Sequence, residues 1–374
     1  MSEDKANGFM DFFKEVPDHR IDRHKRYSVE EILLLTFCAV IAGCDSWNDI
    51  ELFGQTKLMY LRGYLPYNNG IPSDDTLRRF FRALEPDVFE SCFINWVRSL
   101  QTQLTDTVVA MDGKTSRRTF DENNRPMHLI SAFVSELGLT LGQLATSDKS
   151  NEITAIPDLI SVLDIAGATL TLDAMGCQTK IAQCIVDKKA DYVIGLKGNQ
   201  GNLNEDVRLF FDNKPKKAIF NTSVDVDKGH GRIETRQCSI TSDIAWLRNR
   251  HPKWANLNSI IEIKSQREIR GKVTQEKRYY ISSLPDNAEQ AARAVRQHWG
   301  IENNLHWVLD MVFGDDQSRI RKGNAPRNMA IIKKTVLNLL RNIKKDKPRI
   351  SLKAMRKWAG WDENFLNSVL NTQF

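Results

Sequence analysis

The sequence predicts an α/β protein: a mixed-sheet core with a β-rich insertion, an all-α module before it and a basic helical C-terminus after it. Three observations carry that expectation. Apolar residues recur at helical spacing to about residue 100, then give way to short β-rich runs after Gln101. Two of those runs stop at a carboxylate, Asp112 and Asp173. From Asn287 the helical period returns, and basic residues gather in it.

The 374 residues suffice for roughly two to three domains at ~150 residues each. Boundaries are expected near 1–100 for the helical module and 101–374 for the rest, with the insertion at about 200–285. Hydrophobic content of 41% and charged content of 27% are those of an ordinary globular protein. A net charge of +6 is mild, so where the excess lies matters more than its size. None of the six cysteines forms a C-x-x-C pair, which argues against a zinc cluster and for reduced thiols in the cytosol. The N-terminus, Met1 to Lys5, has acids where a secretory signal needs basic and then apolar residues. The longest apolar stretch, Ile32 to Ala42, covers 11 residues, far short of the ~20 that span a bilayer. A cytoplasmic protein with no membrane partner is expected.

In the N-terminal module, Ser28-Val29-Glu30-Glu31 has the form of a capping box opening a helix that runs through Ile41. A second helix is expected from Ser46 to Tyr64, a third from Pro72-Ser73-Asp74, and a fourth from Pro86 to Leu100. Arg78, Arg79 and Arg82 form a basic face, which reads as solvated more readily than as a DNA-contacting helix-turn-helix.

Strands are expected at 107–112, His128 to Glu136 and Leu139 to Thr146, the last two joined by a turn at Glu136-Leu137-Gly138. A helix from Ile153 follows, then a strand Ala168 to Leu172 ending in Asp173, a helix Gln178 to Lys189, and a strand Asp191 to Leu196 ending in Lys197. This order implies a mixed sheet, antiparallel at one edge and parallel beyond. In the insertion, Ala218-Ile219-Phe220, Ile233 to Ile240, Ser259 to Ile263 and Tyr279 to Ile281 read as strands. The tip Lys228-Gly229-His230-Gly231-Arg232 reads equally as a phosphate-contacting loop and as a solvated hairpin turn. One helix is expected from Ala288 to Met311. Residues 317–357 then hold 14 Lys and Arg against one acid, a local +13 that points to nucleic acid.

Asp112 alone reads as the start of an Asp-Gly turn. With Asp173, 61 residues on, it reads differently. If the two strands are neighbours, two carboxylates leave one sheet edge, and they resist joint ionisation unless a cation sits between them. Mg²⁺ suits oxygen ligands and a phosphate substrate. Glu302 is the best third acid, because His298, Glu302 and His306 stack on one helix face with Trp299 and Asn303 beside them. The plainer alternative is a polar stripe on an amphipathic helix. A zinc site on His298 and His306 is weaker, since two turns separate them.

These stretches together resemble the DDE transposases of bacterial insertion sequences, in the branch of the H-repeat-associated proteins of Rhs elements. The matching segments are Met111-Asp112-Gly113-Lys114, Lys149 to Pro157, Leu172 to Gln178, Leu196 to Gln200, His230 to Arg236, Tyr279 to Ser283 and His298 to Trp307, with Ile71 to Thr76 in the N-terminal module. The resemblance implies a ribonuclease H-like core with the β-rich insertion before the last acid. It makes Asp112, Asp173 and Glu302 the DDE triad, ligands to two Mg²⁺ (or Mn²⁺) ions about 3.5–4 Å apart that would clamp a scissile phosphate. The implied activity is cleavage of double-stranded DNA at the element's terminal inverted repeats and strand transfer into target DNA, by a homodimer on paired ends associated with the nucleoid. One departure stands out. Related transposases carry Tyr-x₂-Arg-x₃-Glu-x₆-Lys, whereas here His298 precedes Glu302 by four and Leu309 follows it by seven. His298, Asn303 and His306 are therefore the expected substitutes in DNA contact. Lys114, Lys197, Arg319, Arg321 and Lys322 are the expected phosphate contacts. Two alternatives stay open: a catalytically silent DNA-binding remnant, and a nuclease of the same fold without strand transfer.

Overall fold

The computed structural model describes residues 8–20, 25–100, 104–120, 126–146, 152–215, 217–229 and 231–372. Lys149 to Asn151 of the matched segments, and His230 of the basic tip, lie outside them.

The helices α1 (Val29–Ile41), α2 (Trp47–Thr56), α3 (Leu58–Arg62), α4 (Asp74–Ala83) and α5 (Pro86–Leu100) come first. Ser28 and Glu31 close the expected capping box at the head of α1. From Glu31 to Ile41 every residue of α1 is buried, so the helix needs neighbours on all sides. It finds them at both ends of the chain: α2 packs on it, and so do three C-terminal helices, Ala325–Asp346, Leu352–Trp361 and Glu363–Leu370. The basic face of α4 is tied to its own acids, Arg78 to Asp74 at 2.7 Å and Arg79 to Asp75 at 3.1 Å.

Next come β1 (Val108–Phe120), β2 (Pro126–Val134), β3 (Leu139–Thr146), α6 (Glu152–Val162), β4 (Thr169–Leu172), α7 (Thr179–Asp187), β5 (Asp191–Leu196) and α8 (Gly201–Asn213). The insertion supplies β6 (Asn221–Gly229), β7 (Arg232–Thr241), α9 (Ala245–Arg250), β8 (Ser259–Ile269) and β9 (Lys272–Ser282). Among the described residues, these nine strands form one sheet, ordered β3-β2-β1-β4-β5-β9-β8-β7-β6. The central β1, β4 and β5 run parallel, while β2 and β3 on one side and β9 to β6 on the other are antiparallel. The first five strands, in the order β3-β2-β1-β4-β5, form the mixed core sheet, antiparallel at one edge and parallel beyond as expected. The insertion is not separate from it: β9 pairs with β5 and covers what would be an open edge.

The last part holds α10 (Ala288–Gly300), α11 (Trp307–Val312), α12 (Ala325–Asp346), α13 (Leu352–Trp361) and α14 (Glu363–Leu370). α10 lies across the sheet, burying Ala288, Ala291, Ala294 and Val295 against Val108, Val193, Ile240, Ile261 and Ile263. Val109 and Met111 point the other way, into the main core. By strand parity Asp112 therefore leaves β1 on the α10 side.

Part of the +13 charge of residues 317–357 is structural, so not all of it is free to face DNA. Lys333 is buried at 3.0 Å from Asp315, and Arg356 is buried against Asp45 at 2.6 Å and above the Phe313 ring. Arg327 meets Asp87 at 2.7 Å, and Lys344 donates to the carbonyls of Pro348 and Ile350. Counting charge within 317–357 missed these acids because Asp45 and Asp87 come from distant segments and Asp315 falls just before the window.

Candidate active site

Ala110 pairs with Thr171 across the parallel β1–β4 ladder. Two residues on, Asp173 lies just past the end of β4, whereas Asp112 stands inside β1, paired with Ser131, because β1 runs on to Phe120 and does not stop at the expected residue 112. Asp112 is partly shielded, with 30% of its side chain exposed. Asp173 is exposed, and its Oδ1 accepts from the amides of Met175 at 2.9 Å and Gly176 at 3.3 Å, closing a short 3₁₀ turn.

The third acid comes from a break in helical geometry. The expected single helix is α10, then a π-helical segment Ile301–His306, then α11. π-turns are rare and concentrate at functional sites. This one turns Glu302 outward, 60% exposed, and His306 inward. It also parts the two histidines, which were expected to stack. His298 Nδ1 lies 3.1 Å from Thr171 Oγ1 on β4, whereas His306 Nδ1 lies 2.8 Å from Glu302 Oε2 and 3.6 Å from Asp112 Oδ2. One ligand atom each from Asp112, Glu302 and His306 falls within 4.8 Å of the others. Asp173 is outside that group but near enough for its charge to act on Asp112.

Burial pushes the Asp112 carboxyl up to about 7, and the charges of Asp173, Glu152 and Glu302 push it the same way. Burial holds His306 down at about 4, with Glu302 opposing and Lys334 and Lys114 reinforcing. His298 is also lowered by burial, against the pull of Asp173.

Two residues of this neighbourhood were not expected from sequence. Glu152, the first residue of α6, and His128 on β2 form a buried pair, Nε2 to Oε1 at 2.5 Å, with Thr115 Oγ1 on the other ring nitrogen at 2.8 Å. The pair packs where a Cβ on Gly113 would be, so any larger residue beside Asp112 would have to displace it. That glycine was the available signal.

Lys114 turns inward to Asp310 at 2.7 Å and Asp316 at 3.5 Å, and His306 is buried; both face protein, not an outer surface. Lys197, Asn303, Arg319, Arg321 and Lys322 are exposed, with Arg321 Nε donating to the Arg118 carbonyl at 2.8 Å. A groove of about 1260 Å³ runs between the insertion strands and α10, lined by Arg232, Arg267, Arg278, Arg296, Trp299 and Asn303 among others. The Arg278 guanidinium sits 4.8 Å above the Trp299 ring.

Residues 10–97 match the family model "DDE_Tnp_1-associated", and residues 103–339 match "Transposase DDE domain". The H repeat-associated putative transposase YhhI of Escherichia coli is 41% identical over 374 residues, covering 96% of this chain and 97% of its own. The putative transposase YncI from the same species is 39% identical, covering 96% and 94%. A shorter relative, the inactive transposase YbfQ of Escherichia coli, is 44% identical over 70 residues, 19% of this chain and 83% of its own. Among solved structures, a piggyBac transposase synaptic complex with hairpin DNA aligns at a TM-score of 0.46 and 11% identity, over 96% of this chain and 75% of that one. The chain belongs to the DDE transposases of bacterial insertion sequences, in the branch of the H repeat-associated transposases.

Proposed function

We propose that this chain cuts DNA at the ends of its element and transfers the strand to a target, with Asp112, Asp173 and Glu302 as the metal-binding triad. One observation carries the reading: Asp112 inside β1 and Asp173 just past β4 both lie two residues beyond the last pair of the parallel β1–β4 ladder, and Glu302 on the π-turn has a carboxylate oxygen within 4.8 Å of one of Asp112. The donor set fits a hard divalent cation. Burial, with the neighbouring acids adding to it, lifts the Asp112 carboxyl to about 7, and Mg²⁺ or Mn²⁺ would favour its charged form. Bound there, two such ions would supply the charge that activates an attacking oxygen and steadies the leaving one.

The chain's own residues prepare the site. Rigid strands β1 and β4 aim the two aspartates, and the Gly113 contact with Glu152 and His128 fixes the backbone behind Asp112. The Lys114 ion pair with Asp310 ties β1 to α11, and so to the segment bearing Glu302. DNA is held on two surfaces that flank these acids: the exposed run Arg319, Arg321 and Lys322, and the arginine-lined groove with Trp299 and Asn303. Joining two ends in one event calls for a homodimer on paired inverted repeats. The protein would work in the cytoplasm at the nucleoid; among the described residues no helix is long and apolar enough to cross a membrane.

The test is nicking of a supercoiled plasmid carrying the element's terminal repeats, with Mg²⁺, by wild type and Asp112→Asn. Nicking plus a joined product from wild type alone is expected. No nicking by wild type would leave the DNA-binding remnant; nicking without joined product would leave the nuclease.

A further inference from the structure

His306 lies where the π-helical segment, β1 and α12 meet, and its two ring nitrogens have opposite surroundings. Nδ1 faces carboxylate oxygens, Glu302 Oε2 at 2.8 Å and Asp112 Oδ2 at 3.6 Å. Nε2 is enclosed and has no hydrogen-bond partner among the described residues. The small cavity that His306 lines also carries Lys114, Ser131, Asp315, Lys333 and Lys334. Its ammonium groups are pinned: Lys334 Nζ donates to Ser131 Oγ at 2.8 Å, Lys333 Nζ to Asp315 Oδ1 at 3.0 Å, and Lys114 Nζ lies 2.7 Å from Asp310. The acceptors there are engaged as well, since Asp315 Oδ2 takes the Ser116 hydroxyl at 3.2 Å. A proton on Nε2 would face a wall of cations and spent acceptors. A lone pair on Nε2 matches that wall, and a proton on Nδ1 matches the carboxylates.

We propose that His306 is fixed as the Nδ1–H tautomer and donates to Glu302 Oε2, orienting that carboxylate toward Asp112. His306 is then a positioning residue, neither a metal ligand nor a DNA contact, and the buried lysines set its tautomer. Glu302 needs such a partner. It is long, exposed and on an irregular turn, so without the donor its rotamers are free. The proposal rests on reading Glu302 as a catalytic carboxylate.

Two measurements on the full chain decide it. The first is a long-range ¹H–¹⁵N spectrum of histidine-labelled protein, with the His306 signals identified by their loss in His306→Asn. A pyrrole-type Nδ1 and a pyridine-type Nε2 are expected; the reverse would overturn the tautomer. The second is Mn²⁺ affinity by electron paramagnetic resonance for wild type, His306→Asn and His306→Gln. Asparagine places its N–H near the Nδ1 position, whereas glutamine reaches the Nε2 position. The asparagine variant should stay within about 3-fold of wild type, and the glutamine variant should weaken by roughly 10-fold or more, the usual cost of losing a partner of a metal-binding carboxylate. Equal weakening of both, as expected for a lost ligand, or of neither, would overturn the positioning role. A wild type with the expected spectrum that never nicks DNA would remove the catalytic reading of Glu302 and leave the tautomer standing.

Discussion

At the scale of single residues, Asp112 is held in an environment that disfavours its charge. Its carboxyl, ordinarily near 4, is pushed up to about 7 by burial and by three neighbouring acids. The folded state therefore holds this proton across a pH range where the unfolded chain has released it. Stability from this group is present below pH ~4 and is lost as pH rises toward about 7. In metal-free protein at pH 8, Asp112→Asn should raise Tm by roughly 2–4 °C, an advantage that vanishes at pH 4. Calorimetry of both proteins at the two pH values measures it. The same substitution should abolish nicking, since the acid is lost as a ligand. Gly113→Ala should behave in the opposite way. Its Cβ collides with the Glu152–His128 pair, so it should cost about 1–3 kcal/mol in denaturant unfolding and lower Mg²⁺-dependent nicking as well. Asp112 and Asp173 were legible in the sequence because each carboxylate halts an apolar run of strand length, and a charge there must reach solvent or a cation. Glu152 was not, because an acid in the first turn of a helix is ordinarily a dipole partner and its contact with His128 spans two elements.

At the scale of elements, legibility followed apolar patterning. α1 has a capping box and an unbroken apolar run, and it forms where both indicate. Ser28→Ala should lower global stability by about 1 kcal/mol in chemical denaturation and leave nicking per folded molecule unchanged. The strand β6 went unseen because its residues are almost all exposed; it is held by its ladder to β7, not by a buried face. The apolar run Ala218-Ile219-Phe220, expected as a strand, instead lies just before β6 begins. The π-helical segment was invisible for another reason. Helical periodicity assumes one repeat throughout, and a local change from i→i+4 to i→i+5 bonding leaves apolar positions on both sides in register with their own helices. Across that segment His298 turns to Thr171, while Glu302 and His306 keep the i,i+4 contact of an ordinary helix.

At the scale of the molecule, the two ends of the chain build one helical layer around α1, and the sheet runs unbroken from core to insertion. The charged interior beneath the site belongs to this scale. Lys114 bridges β1 and α11 through Asp310, and removing its charge by Lys114→Met leaves Asp310 and Asp316 without that partner. The expected loss is about 3 kcal/mol of unfolding free energy, read from denaturant midpoints, with weaker Mn²⁺ binding as β1 and α11 lose their tie. The central claim is that acids from two strands and one π-turn share cations. Anomalous scattering from Mn²⁺ in crystals of this protein tests it most directly. The expected map shows metal held by Asp112 together with Asp173 and Glu302, with His306 Nδ1 on Glu302 and off the metal. Metal on Asp112, Glu302 and His306 with Asp173 still closing its turn, or no metal among these residues with or without DNA, would contradict it.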